Sequence, residues 1–142
     1  MRHMTVTDEQ SLILFPEGLV GWANWKRFIL LTESDEDLPI GILKSVDEPN
    51  VSLMVTDPLL VLPKYRVELT PDDRAALDLE DDERPVLYCT LTMGGSGAVT
   101  ANLLGPLAIN SRTRRGKQLV LADTLYSPEH PVGVVESVEC LS

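Results

Sequence analysis

Short runs rich in valine, isoleucine, leucine and threonine, broken by turn-forming residues at intervals of roughly ten positions, set the tightest limit on what this chain can fold into. That spacing predicts antiparallel sheets or barrels. Nine runs read as strands: Leu12–Phe15, Arg27–Thr32, Gly41–Ser45, Val51–Val55, Tyr65–Leu69, Val86–Met93, Val99–Leu104, Leu107–Asn110 and Gly116–Ala122. With one short helix among them, the expected class is mainly β, an antiparallel small barrel or highly curved sheet.

Within Val86–Met93, alternation places Leu87, Cys89, Leu91 and Met93 on one face, expected toward the core, and Val86, Tyr88, Thr90 and Thr92 on the other. Gly94-Gly95-Ser96-Gly97 supplies residues tolerant of positive φ, which predicts a hairpin into Val99–Leu104. A second turn spans Ser111 to Arg115. The helix is expected from Pro71 to about Leu79. Thr70 suits the cap, Pro71 the first position, Asp72 and Asp73 the positive end of the dipole, and Asp73 completes a capping-box pattern. Its apolar positions, read as Ala75, Ala76 and Leu79, predict light packing over the barrel. Pro58 and Pro63 bracket Leu59-Leu60-Val61-Leu62, which reads as either an edge strand or an extended loop.

The 142 residues, 44% apolar, are sized for one domain over 1–142, with 1–10 and 134–142 expected as flexible tails. The polar start lacks the apolar stretch of a secretory signal, and no long uncharged apolar segment occurs, so a cytoplasmic protein without membrane contact is expected. A net charge of −10 argues against direct nucleic-acid binding and for a basic partner. From Glu33 to Glu83, fifteen acidic residues stand against four basic ones, a balance of −11. Asp35, Glu36 and Asp37 form one cluster; Asp72, Asp73, Asp81, Asp82 and Glu83 surround the helix. Arg112, Arg114, Arg115 and Lys117 make up the sole basic cluster, placed at an exposed turn. The plain alternative is that both are solvated faces.

Reactive chemistry is sparse. Cys89 has apolar in-phase neighbours, which predicts a buried, poorly reactive thiol, and Cys140 is expected to be an exposed thiol near the C-terminus. His130, within Tyr126-Ser127-Pro128-Glu129-His130-Pro131, has a serine and a carboxylate nearby in sequence, but such proximity does not make a triad. His3 carries no argument. No metal spacing, calcium loop or phosphate loop is present, so no metal, cofactor or enzymatic activity is expected.

The stretch from Thr100 to Asn110, Thr-Ala-Asn-Leu-Leu-Gly-Pro-Leu-Ala-Ile-Asn, followed by Gly116-Lys117-Gln118, resembles the signature of the flagellar assembly factor FliW family. Phe15-Pro16-Glu17-Gly18-Leu19-Val20-Gly21-Trp22 is similar to the pattern that opens that family's domain, and Tyr126-Ser127 with His130-Pro131 falls where the family has a similar motif. Val20 departs from the family's usual proline and Trp22 from its usual phenylalanine. The resemblance implies a non-enzymatic partner switch: binding of cytoplasmic flagellin and, once flagellin is exported, antagonism of the translational repressor CsrA. Among matched residues, Asn102, Pro106, Asn110, Gly116, Lys117 and Gln118 serve either as scaffold or as partner contacts, and the acidic clusters are the expected basic-partner contacts. A small-ligand-binding β-barrel is the competing class, though the strand patterns suggest a filled interior.

Overall fold

The computed structural model describes residues 12–32, 40–94, 97–122 and 125–132. The expected tails and the cluster Asp35, Glu36 and Asp37 lie outside these residues.

An antiparallel meander forms first: β1 (Leu12–Leu14), β2 (Arg27–Thr32), β3 (Ile40–Ser45) and β4 (Ser52–Thr56), in spatial order. β5 (Val86–Met93) pairs with β4 through Met54↔Leu91 and Thr56↔Cys89. β7 (Leu107–Asn110) pairs with β5, β8 (Arg115–Gln118) with β7, and β8 meets β1 in parallel at Leu14↔Arg115. These seven strands close into a barrel. β6 (Val99–Ala101) continues along β5 after the Gly94–Gly97 turn, as the hairpin reading expects, and β9 (His130–Val132) extends the sheet from β6.

The interior holds Ile13, Phe15, Phe28, Leu43, Val55, Leu107 and Ile109, all buried, with Tyr88, Leu30 and Leu53 packed against them. Phe15 and Phe28 meet edge to face at 5.6 Å. A second apolar layer covers the outer face of β5 and β7: Cys89, Ala101 and Leu103 with Tyr65, and Ala108 with Leu77 and Leu119. The β5 residues expected toward the core, Leu87, Cys89 and Leu91, pack into this outer layer, Met93 is 58% exposed beyond it, and Tyr88, expected on the other face, is the one that packs against the barrel interior.

Several expectations change in detail. Residues 65–69 form no strand. Tyr65, Val67 and Leu69 do alternate inward, but the segment crosses the outer layer without a ladder, and the Arg66 amide donates to the Tyr126 hydroxyl instead. Residues 58–62 are neither edge strand nor loop: α1 (Pro58–Val61) is one turn of helix, capped by Asp57, whose side chain accepts from the Leu59 amide. α2 (Pro71–Ala76) starts as expected, with both bonds of the Thr70/Asp73 capping box present, but ends three residues earlier. Leu77, at the C-cap and outside the apolar positions Ala75, Ala76 and Leu79 expected from the sequence, is its fully buried anchor. β6 stops at Ala101 and β8 at Gln118 rather than running to Leu104 and Ala122.

Candidate functional site

Residues 102–106 face only Cys89 and Thr90 across the β5 ladder, between the pairs Leu91↔Ala101 and Tyr88↔Leu107. The surplus forms a bulge, whose backbone groups need partners outside the ladder. Asn102 supplies one set, its Oδ1 accepting from the amides of Leu104 (3.1 Å) and Gly105 (2.8 Å). Gln118 supplies another: Nε2 donates to the Gly105 carbonyl at 2.9 Å while Oε1 accepts from the Val20 amide at 2.8 Å. Pro106 is fully buried, and its carbonyl accepts from the Leu119 amide. Asn110 Nδ2 donates to the carbonyls of Leu77 (2.8 Å) and Asp78 (3.2 Å), and its Oδ1 accepts from the Arg112 amide at 2.9 Å. Gly116 leaves the space taken by the Phe15 ring. Each of these residues holds the bulge, the end of α2 or the barrel seam together.

The acidic residues divide into two groups. Asp73 is spoken for: it completes the capping box and lies 2.9 Å from Lys117 Nζ. Burial pushes its carboxyl up, but the Lys117 ammonium and the Thr70 donors outweigh that and hold it below the ordinary range. Lys117 is raised in turn, chiefly by its bond to Asp73. Glu83 takes a two-pronged contact from Arg112, Nε to Oε2 at 2.8 Å and Nη2 to Oε1 at 2.9 Å, and also accepts from the Glu80 amide. The Arg112 bond is the main reason its carboxyl falls to about 2. Asp72, Asp81 and Asp82 are exposed, and their side chains make no hydrogen bond or ion pair among the described residues. Two members of the basic cluster are folded onto the acidic segment, joining residues far apart in sequence that no local spacing would connect.

A second clamp went unread in the sequence. Asp47 accepts from the backbone amides of Lys26 and Arg27 and from the Arg27 guanidinium, which holds its carboxyl low. Between α2 and β5 lies a groove of about 420 Å³ with Val67, Leu69 and Leu87 on its apolar side and Asp81, Asp82 and Arg84 on its polar side. At the barrel mouth another cleft, of about 360 Å³, is bordered by Val20, Trp22, Thr90, Thr92 and Thr100. Trp22, half exposed, stacks on Trp25 at 4.8 Å.

Cys89 is fully buried, donates to the Thr56 carbonyl at 3.6 Å, and burial pushes its thiol up to about 11. Cys140 lies outside the described residues. Ser127 Oγ accepts from the Glu129 amide, closing a local turn, while His130 sits in β9 opposite Ala101. Among the described residues no cluster could hold a metal ion, and no helix is long and apolar enough to cross a membrane.

The model of the family described as FliW protein matches residues 2–132. The chain belongs to the FliW family. It is 35% identical over 127 residues to the flagellar assembly factor FliW of Natranaerobius thermophilus, covering 88% of this chain and 83% of that relative. Against the flagellar assembly factor FliW of Bacillus subtilis the identity is 34% over 132 residues, covering 92% and 91%. A crystal structure of the flagellar assembly factor FliW shares the fold with a TM-score of 0.80 at 31% identity, covering 90% of this chain and 89% of that one. Both FliW-pattern departures noted in the sequence, Val20 and Trp22, are exposed and lie on the loop beside the barrel-mouth cleft.

Proposed function

We propose that the chain is a flagellar assembly factor working as a protein-binding partner switch. It binds flagellin in the cytoplasm, and when flagellin is exported it binds CsrA and relieves repression of flagellin translation. The family match over nearly the whole chain is the observation that carries this reading.

The acidic face supports the CsrA half. A protein that holds RNA presents a basic surface, so the exposed Asp72, Asp81 and Asp82 attract it and, once bound beside the RNA path, repel phosphate. Repulsion of that kind needs no overlap with the RNA site and makes the antagonism non-competitive. The small-ligand alternative loses ground because Ile13, Phe15, Phe28, Leu43 and Val55 occupy the interior where a ligand would sit.

The flagellin half is tested by calorimetric titration with monomeric flagellin, full length and lacking its terminal helices. Binding of the first and loss of affinity for the second is expected, because the segment recognised is one not yet packed into a filament. Equal affinity for both would contradict that mode, and no binding of either would remove flagellin as a partner.

A further inference from the structure

Val20 and Trp22 stand out from the 15–25 loop with exposures of 58% and 52%, and Val120, just after β8, reaches 71%. The three border two adjoining clefts that share Val20 and Gln118: the barrel-mouth cleft of about 360 Å³ and a second, of about 290 Å³, on the side of Asp73 and Lys117. Leu19, Leu53 and Leu107 line the first, so its floor is continuous with the barrel core. We propose that this strip is a docking site for a segment of a partner protein that presents an apolar side chain between lysines or arginines. The proposal rests on the reading of the chain as a protein-binding module, and on neither named partner.

The loop holds these apolar side chains outward by its own bonds. Leu19 and Trp22 exchange backbone hydrogen bonds of 3.1 and 2.8 Å around Val20 and Gly21, whose φ of +87° favours glycine at that tip. Gln118 fixes the Val20 amide, and the Trp22 carbonyl accepts from the Trp25 amide at 3.1 Å. Trp22 then lies flat on Trp25, with centroids 4.8 Å apart and 2° between the planes, and Trp25 packs against the barrel core. The ring is thus backed from the core while half of it faces solvent. An aromatic side chain immobilised before contact loses little entropy on binding, which is what an interface anchor requires. The charges around the strip select the partner's charge. Among the ionisable residues lining the two clefts, Asp73 and Lys117 neutralise each other at 2.9 Å. Glu17 in one cleft and Glu129 in the other are exposed and make no ion pair among the described residues. Basic residues on either side of an apolar one complement both carboxylates, whereas an acidic segment meets repulsion. A second copy of the chain, itself at −10, is disfavoured for the same reason.

The test titrates short synthetic peptides into the full chain by calorimetry: a leucine-phenylalanine-leucine centre flanked by lysines, the same centre flanked by glutamates, and a serine centre flanked by lysines. Trp22→Ser and Val20→Lys are compared with Leu60→Ser and Leu60→Lys, which place the same residues at a comparably exposed position of α1. Thermal unfolding checks each fold. Should Trp22→Ser unfold, Val20→Lys still decides, because Val20 bonds to Gln118 through its backbone amide. Both tryptophans of the chain lie in the stack, so the emission of the wild type reports contact at this site. The lysine-flanked apolar peptide should bind and shift that emission, and the other two peptides should bind more weakly. W22S and V20K should weaken its binding about tenfold, the scale of one interface anchor, while the Leu60 variants bind as the wild type does. Equal binding by all four variants, unmoved emission at saturation, or glutamate flanks as effective as lysine flanks would overturn the inference. So would a Trp22-dependent dimer of the free chain in sedimentation, which would make a second copy the occupant. Flagellin and CsrA take no part, so failure here leaves their assignment standing, and loss of that assignment leaves the site standing.

Discussion

The Phe15 ring occupies the space in which residue 116 would carry a side chain: a Cβ on Gly116 would stand 2.7 Å from Cε2 and 2.8 Å from Cζ of that ring. Phe15 follows β1 and Gly116 lies in β8, so the contact sits at the parallel seam that closes the barrel. Gly116→Ala must push a fully buried ring off its neighbour Phe28, and overpacking of this kind costs about 1–3 kcal/mol. Chemical denaturation should show that loss, and Phe15→Leu in the same background should recover part of it. An unchanged midpoint for G116A would show that the seam yields freely.

Gln118→Leu keeps approximate volume but removes both bonds that tie the bulge to the Trp22 loop. The buried Gly105 carbonyl loses its side-chain donor, while the exposed Val20 amide turns to water, so a loss of about 1–2 kcal/mol is expected. Tryptophan emission should change as well, since the stacked Trp22 and Trp25 share that loop. Unaltered stability together with unaltered emission would mean that the amide carries no scaffold role.

Cys89, with its thiol raised to about 11, should resist alkylation in the native protein at neutral pH and react only on unfolding. Cys89→Asp places a charge between Ala101, Leu103 and Tyr65 and should cost on the order of 3–5 kcal/mol. Rapid native labelling at this position would contradict the register of β5.

Acid stability follows from the depressed carboxyls. Glu83 binds its proton at about 2 in the folded chain against an ordinary 4.5, so as pH falls the unfolded state takes up the proton first. Its contribution is complete above about 4.5 and is lost as pH falls to about 2; Asp47 and Asp73 act in the same direction. The stability difference between wild type and Glu83→Gln should therefore be greatest near neutrality and close toward pH 2 in denaturation series. A difference that stays constant over that range would mean that Arg112 does not hold the carboxylate.

Most of the barrel was legible because alternation reports burial, and burial on one or both faces is what a strand in this fold experiences. The same property explains the errors. Residues 65–69 alternate because Tyr65, Val67 and Leu69 cover the outer layer, yet alternation is silent on whether a neighbouring backbone is present to pair. β9 escaped notice because it is three residues long with Pro131 at its centre. The Asp57-Pro58 pair did carry a cap signal for α1, hidden by the apolar run after it. At the candidate site, clusters of charge were visible but their partners were not. Lys117 meets Asp73 and Arg112 meets Glu83 only after the chain has closed, so composition counted acids that the fold had already engaged.

The proposed function places antagonism of an RNA-bound basic protein on Asp72, Asp81 and Asp82, the acidic side chains of this face outside its ion pairs. Displacement of flagellin mRNA leader from CsrA, followed by fluorescence anisotropy, should be measured for wild type and for the triple variant Asp72→Asn, Asp81→Asn and Asp82→Asn, each at low and high salt. These side chains are exposed and make no ion pair among the described residues, so thermal stability should hardly change. Wild type should displace RNA and lose potency as salt shortens the screening length from about 10 Å at 0.1 M to about 3 Å at 1 M. The triple variant should be weak at both. Full displacement by the triple variant, with the same salt dependence as wild type, would contradict the account and assign the antagonism to an uncharged surface.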